Sequence, residues 1–136
     1  MALVIISQND AGGVSITSPA GDFTAQQILD RGVSGRFARI INDADLPEHK
    51  EFIDAWEMDK NDVTVNFAKA QEITKNRLRS ERAPLLDVQD VLFMKALETG
   101  ADTKAIVAEK NRLRDVTKLA DSAKTLEDLL AITCEG

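Results

Sequence analysis

Four carboxylates, Asp43, Asp45, Glu48 and Asp54, fall within twelve residues, and clustered carboxylates are what a hard cation such as Ca²⁺ or Mg²⁺ requires. Their spacing lacks the alternating acids, central glycine and closing bidentate glutamate of a calcium loop. Turns and helix starts use the same residue types for local hydrogen bonds, so these acids are read as turn chemistry and no metal is expected. His49 is the single histidine and would have to supply any imidazole acid, base or ligand. Its neighbours Glu48, Lys50 and Glu51 place it at the surface. Gly12-Gly13 is too little for a phosphate loop, since no Lys-Ser/Thr follows and the next segment is strand-like. Cys134, beside Glu135, lacks the positive surroundings that would activate a thiol. No catalytic constellation assembles, and the expectation is a non-enzymatic protein without a cofactor. An enzyme would require the acidic loop to hold a metal.

The remaining concentration of charge is basic. In residues 75–82, Lys-Asn-Arg-Leu-Arg-Ser-Glu-Arg, helical spacing lets Lys75, Arg79 and Arg82 share a face while Arg77 projects elsewhere. No aromatics are interleaved and Glu72 and Glu81 balance the charge, so nucleic acid is not the expected partner. The arginines are expected to pair with carboxylates, either within the chain or on another protein, where a guanidinium fork confers specificity.

Composition narrows the class further. A chain of 136 residues with 43% apolar and 29% charged residues is of ordinary globular type, but five Phe, one Trp and no Tyr leave the packing to aliphatic side chains. The net charge of −6 is carried by residues 1–62, where eleven acids face five bases, whereas the remainder balances twelve against twelve. Such a surface repels phosphates and anionic lipid and suits a basic or amide-rich partner. One cysteine permits no internal disulfide framework, the first residues lack the basic leader of a secretory signal, and no apolar run reaches the roughly 20 residues of a membrane span. A cytoplasmic location is expected.

The elements that position these residues divide into two groups. Residues 3–7 and 14–18 are β-branched runs joined by Asn9-Asp10-Ala11-Gly12-Gly13, the pattern of a hairpin. Thr24 and Gln27 fit a capping box and Phe23 and Ile28 a hydrophobic staple, predicting a short helix from Thr24 to Gly32. Residues 36–41 form a third strand with Phe37, Arg39 and Ile41 on one side and Ala38 and Ile40 on the other. Trp56 is expected to close this sheet from one face. From Asp62 the period becomes helical through Val63, Phe67, Ala70 and Ile73 or Thr74, with a break or bend at Pro84. Gly100 terminates the next helix and Thr103 caps another, whose narrow apolar face is Ile106, Lys110, Leu113, Val116 and Ala120. Thr125 with Asp128 opens a last short helix through Leu129, Leu130 and Ile132. The expected fold is α+β: a small head of about three strands and a helix over residues 1–60, then a tail of two to three helices over residues 61–136.

Residues 83–97, Ala-Pro-Leu-Leu-Asp-Val-Gln-Asp-Val-Leu-Phe-Met-Lys-Ala-Leu, are apolar nearly all round the helix they predict. Such a helix needs enclosure by several neighbours or by other chains. Aspartate at Leu92 or Phe93 is therefore expected to abolish folding or assembly.

Two groups of segments carry a family resemblance. Residues 9–19, residues 39–47 (Arg-Ile-Ile-Asn-Asp-Ala-Asp-Leu-Pro) and residues 52–57 (Phe-Ile-Asp-Ala-Trp-Glu) resemble the head of small proteins encoded beside tail-fibre genes in tailed bacteriophages. Residues 82–86 (Arg-Ala-Pro-Leu-Leu) through 110–117 (Lys-Asn-Arg-Leu-Arg-Asp-Val-Thr) are similar to the helical part of phage tail-fibre assembly chaperones, although the head is much smaller than in the longer chaperones. The resemblance implies a non-enzymatic helper or tail adaptor of a trimeric fibre, acting as a homo-oligomer or as a trimer with that fibre, made in the host cytoplasm and either released or retained in the tail. An exposed strand edge or apolar helix would cover the fibre's unpaired surfaces. The expected contact residues are Val14, Ile16, Trp56, Arg79, Arg82, Leu92, Phe93, Met94 and Leu97. The alternative is a homo-oligomeric binding or scaffold module unrelated to fibres.

Overall fold

The computed structural model describes residues 2–135. It is α+β, with a three-stranded antiparallel sheet followed by helices, and divides into two compact units, Met1–Ala70 and Gln71–Gly136.

In the first unit the Val/Ile-rich segment β1 (Leu3–Gln8) lies between β2 (Val14–Thr17) and β3 (Arg36–Asn42), both antiparallel to it. Asn9 makes the β1–β2 turn, its Oδ1 accepting from the amides of Ala11 and Gly13 at 3.0 and 2.9 Å. Register sets Val4 opposite Ile41, and Ile6 opposite both Ile16 and Arg39. This face meets Val14, Leu46, Trp56 and Met58 in the core. The opposite face, with Ile5 and Ile40 paired, lies against α1 (Ala25–Arg31). The capping box of α1 forms as expected: Thr24 Oγ1 accepts from the Gln27 amide and Gln27 Oε1 from the Thr24 amide. Phe23 is exposed, with the Arg31 guanidinium 4.1 Å from its ring centroid.

Phe37 departs from the expected alternation. Between Ile6 and Gln8 the pairing slips by one residue on β3, and Phe37 takes φ +56°, the geometry of a bulge. Arg39 and Ile41 keep the core side; Phe37 turns outward.

Two 3₁₀ turns, Asp43–Asp45 and Lys50–Ala55, lead to a hairpin of β4 (Trp56–Met58) and β5 (Val63–Val65). The helix expected from Asp62 therefore starts later. Asp59 explains the difference, because its carboxylate accepts from the amides of Asn61 and Asp62 at 2.7 and 2.8 Å and folds the chain back on itself. Asn66, whose Oδ1 accepts from the Lys69 amide, then opens α2 (Phe67–Thr99). The head accordingly reaches Ala70, ten residues beyond the boundary drawn at residue 60.

No break occurs at Pro84, which lies inside the 33-residue α2. Proline removes the amide that would bond the Ser80 carbonyl, but both residues are exposed, so solvent can take that acceptor. Gly100, at φ +70°, ends the helix in a Schellman arrangement: its amide donates to Leu97 O and that of Ala101 to Ala96 O. The second unit continues through α3 (Lys104–Asp115), α4 (Lys118–Ser122) and α5 (Leu126–Ala131). The expected single helix from Thr103 to Ala120 is thus two. Thr103 makes no side-chain cap; Asp102 Oδ1 accepts from the Lys104 amide instead. The Thr125/Asp128 capping box forms as expected.

Glycine tolerance offers a test of the sheet. At Gly35, φ +109°, a Cβ would stand 2.5 Å from the Gln8 carbonyl oxygen and 3.0 Å from Ser7 Oγ, whereas at Gly12, φ +86°, it would meet nothing. Gly35→Ala is expected to lower stability by about 2 kcal/mol or more and Gly12→Ala by about 1 kcal/mol, measured by urea unfolding. Equal effects would show that backbone strain alone, without close packing, governs the site.

Candidate protein-binding surface and its supports

The basic stretch of α2 turns mostly inward. α3, α4 and α5 each end with carbonyls beyond the reach of the regular i+4 amide, and α2 supplies donors to all three; Leu129 O at the end of α5 also accepts from the Ile132 amide at 3.3 Å. Arg82 Nη1 donates to Arg114 O at 2.8 Å and Leu113 O at 3.4 Å, ending α3. Gln71 Nε2 donates to Ala120 O on α4 at 3.0 Å. Arg77 Nη2 bridges Leu129 O and Ile132 O at 3.1 and 2.8 Å, ending α5, while its Nη1 meets Glu81 Oε1 at 3.0 Å. Positive charge is favourable at each of these C-terminal ends. Lys75 joins Asp121 at 2.6 Å. Arg79 does not share the side of Lys75 and Arg82; it is exposed, and among the described residues its hydrogen bond is to Asn76 of its own helix.

These findings change two expectations. Arg77 and Arg82 bind backbone carbonyls more than carboxylates, four hydrogen bonds against one. Arg82 is committed inside the chain, leaving Arg79 as the exposed guanidinium of the expected contact pair. Beneath them Leu78, Leu113, Val116 and Cys134 form a buried cluster joined by Leu85, Leu86 and Ile132. Buried Leu113, Val116 and Ala120 lie on the apolar face expected for this segment. Cys134 Sγ lies 3.4 Å from Leu78 O. Burial pushes its thiol pKa upward and Glu81 adds to this, against the pull of Arg112, Arg77 and Arg82. Positive groups are therefore present around Cys134, contrary to expectation, and burial outweighs them.

Of the other expected contact residues, Trp56 is wholly buried and Val14 nearly so. Trp56 covers the sheet from one face as foreseen, but being enclosed it cannot touch a partner. Ile16 is half-buried. It lies on β2, an edge strand like β3. His49 is half-buried at φ +64° and precedes the second 3₁₀ turn. Among the described residues, Asp43, Asp45, Glu48 and Asp54 form no converging set of three ligands. Asn42 Oδ1 caps the first 3₁₀ turn, and Asp43 Oδ1 accepts from the Ala2 amide.

The later part of α2 has a different surface. Leu85, Gln89, Phe93 and Ala96 recur along the covered face, with Lys110 Nζ 5.3 Å from the Phe93 ring centroid and 2.6 Å from Asp90. Around them Val88, Val91, Leu92, Met94 and Leu97 are 42–57% exposed. Sequence reasoning identified Leu92, Met94 and Leu97; it missed Val88 and Val91, although both stand in the same apolar segment. Leu92 is open to solvent, so an aspartate there would not enter an enclosed contact of this chain. A separate apolar depression of about 490 Å³ is lined by Val116, Leu119, Ala131 and Ile132. Among the described residues, no helix is long and apolar enough to cross a membrane.

Comparison with protein-family models, with curated proteins and with solved structures found no match.

Arg77→Ala is expected to lower stability by about 1–2 kcal/mol because it removes the charged donor of the part-buried Leu129 and Ile132 carbonyls, of which Leu129 O keeps the Ile132 amide. Arg77→Lys should recover only part, since an ammonium lacks the fork, and Arg79→Ala should change stability by less than about 0.5 kcal/mol. Urea unfolding checks all three. For Cys134, a folded-state pKa above the unfolded one means that the unfolded chain loses its proton first as pH rises. Its contribution is thus complete below about pH 8.5 and declines above it. Cys134→Ala should flatten that alkaline loss in unfolding curves, and the native thiol should resist alkylation at neutral pH.

Proposed function

We propose that this chain is a non-enzymatic assembly protein that uses the exposed apolar side of α2 to bind another polypeptide, as a phage tail-fibre assembly chaperone or tail adaptor. The observation that carries it is the group Val88, Val91, Leu92, Met94 and Leu97: five large apolar side chains within ten residues of one helix, all open to solvent. Contiguous apolar surface of this kind marks protein interaction sites, and a helix presenting it suits a groove or a second helix. Met94 adds a conformable contact.

The fibre as client rests on the resemblance of the head and tail segments. Its chemistry is compatible: fibre subunits awaiting trimerisation expose unpaired strands and apolar seams, and this chain offers the edge strands β2 and β3 in its first unit and, independently, the α2 surface in its second. The acidic excess of residues 1–62 favours a basic or amide-rich client surface. The protein acts in the host cytoplasm during assembly and either leaves with fibre maturation or stays in the tail.

Co-expression with the neighbouring fibre gene, followed by size-exclusion chromatography, tests this. Soluble fibre co-eluting with the parent chain is expected. Leu92→Asp should keep its helical circular dichroism, because residue 92 is exposed, yet recover less soluble fibre by about tenfold. Fibre that is soluble alone and never co-elutes would overturn the proposal.

A further inference from the structure

The exposed side of α2 is complementary to itself. Helical geometry, about 100° and 1.5 Å per residue, places Asp87 and Lys95 at equal distances on either side of Val91, about 6 Å along the axis and about 40° around it in opposite senses. Val88 and Met94 are likewise symmetric about Val91, three residues each way. So are Pro84 and Glu98, seven each way. A half-turn about an axis through Val91, perpendicular to the helix, exchanges the members of each pair.

Two copies of α2 related by a two-fold axis that lies in the seam beside Val91, perpendicular to the helices and to the line joining them, run antiparallel. Val91 meets Val91, and Val88 and Asp87 of each copy come level with Met94 and Lys95 of the other across the seam, the charged pair lying nearer the centre line. The side chains are available for it. Val88, Val91 and Met94 are 55%, 54% and 57% exposed; Asp87 and Lys95 are exposed, and among the described residues neither makes an ion pair. Parallel pairing in register would set Asp87 against Asp87 and Lys95 against Lys95, so charge selects the antiparallel form. The opposed helix dipoles favour it as well.

We infer that the apolar side of α2 binds a second copy of this chain, forming a two-fold antiparallel dimer centred on Val91 with reciprocal Asp87–Lys95 pairs. This rests on the reading of that surface as a protein-binding site and names its first occupant. Leu92 and Leu97 lie at the margins of the seam, on opposite sides, and extend it into a composite apolar surface for a client.

Sedimentation equilibrium on the full chain over a concentration series measures the prediction without any fibre. The mass is expected to rise from 14.9 kDa toward twice that value. Asp87→Lys places lysines against lysines and Lys95→Asp places acids against acids, so each variant alone should self-associate about tenfold or more weakly. Mixed, the two should form a heterodimer as tight as the parent homodimer, since both cross-seam pairs become attractive again. Val91→Cys should form a disulfide-linked dimer under mild oxidation, whereas Glu72→Cys, exposed elsewhere on α2, should not. A chain monomeric at every concentration would overturn the inference, as would two variants that associate like the parent and gain nothing on mixing. Fibre capture by such a monomer would leave the proposed client-binding role standing, which separates the two failures.

Discussion

The second unit depends on a single service that α2 performs for its neighbours. α3, α4 and α5 have 12, 5 and 6 residues, lengths at which an isolated helix is marginal in water. Each ends in carbonyls that would lose their hydrogen bonds on packing. Arg82, Gln71 and Arg77, spaced along one long helix, reach those three ends and make their enclosure tolerable. Only then can Leu78, Leu113, Val116 and Cys134 be shut away from water together. The polar contacts contribute specificity of placement; the apolar cluster contributes the driving force.

The first unit uses a different solution. Its central strand is apolar on both faces, so each needs a cover: α1 lies on one, and Leu46, Trp56 and Met58 lie on the other. The β4–β5 hairpin is held by further polar ties. Gln8 Nε2 donates to Met58 O, Arg39 Nη1 donates to Asp59 O, and Glu57 accepts from Asn66 and Lys69. Those last two donors, with the Asn66 bond foremost, hold the Glu57 carboxyl below its ordinary pKa. Both remaining sheet edges stay unpaired within the sheet.

Beyond Leu86 the same long helix outgrows the cover that its own unit provides. Phe93 and Ala96 are sheltered, but roughly opposite them the apolar side chains continue with about half of their surface open to solvent. One helix thus combines an inward-facing scaffold and an outward-facing surface, and the proposed assembly role draws on that division. The rigidity that α2 needs to hold three short helices also fixes the spacing of its exposed residues.

Local chemistry was legible from the residues alone wherever neighbours in sequence make the interaction. The hairpin turn at Asn9, the capping boxes at Thr24 and Thr125, the stop at Gly100 and the apolar character of residues 83–97 all belong to that class. So did the α+β order of the elements. Tertiary structure decided what depends on distant partners: that Trp56 is enclosed, that Arg82 serves the end of α3 while Arg79 faces out, and that guanidiniums surround a thiol whose burial still prevails. Two local signals, the Asp59 turn and the Asn66 cap, were present but masked by the helical period of the residues around them. Pro84 shows the same limit, since loss of one amide weakens a helix in isolation, and only packing on either side, with an exposed acceptor at Ser80, lets it continue.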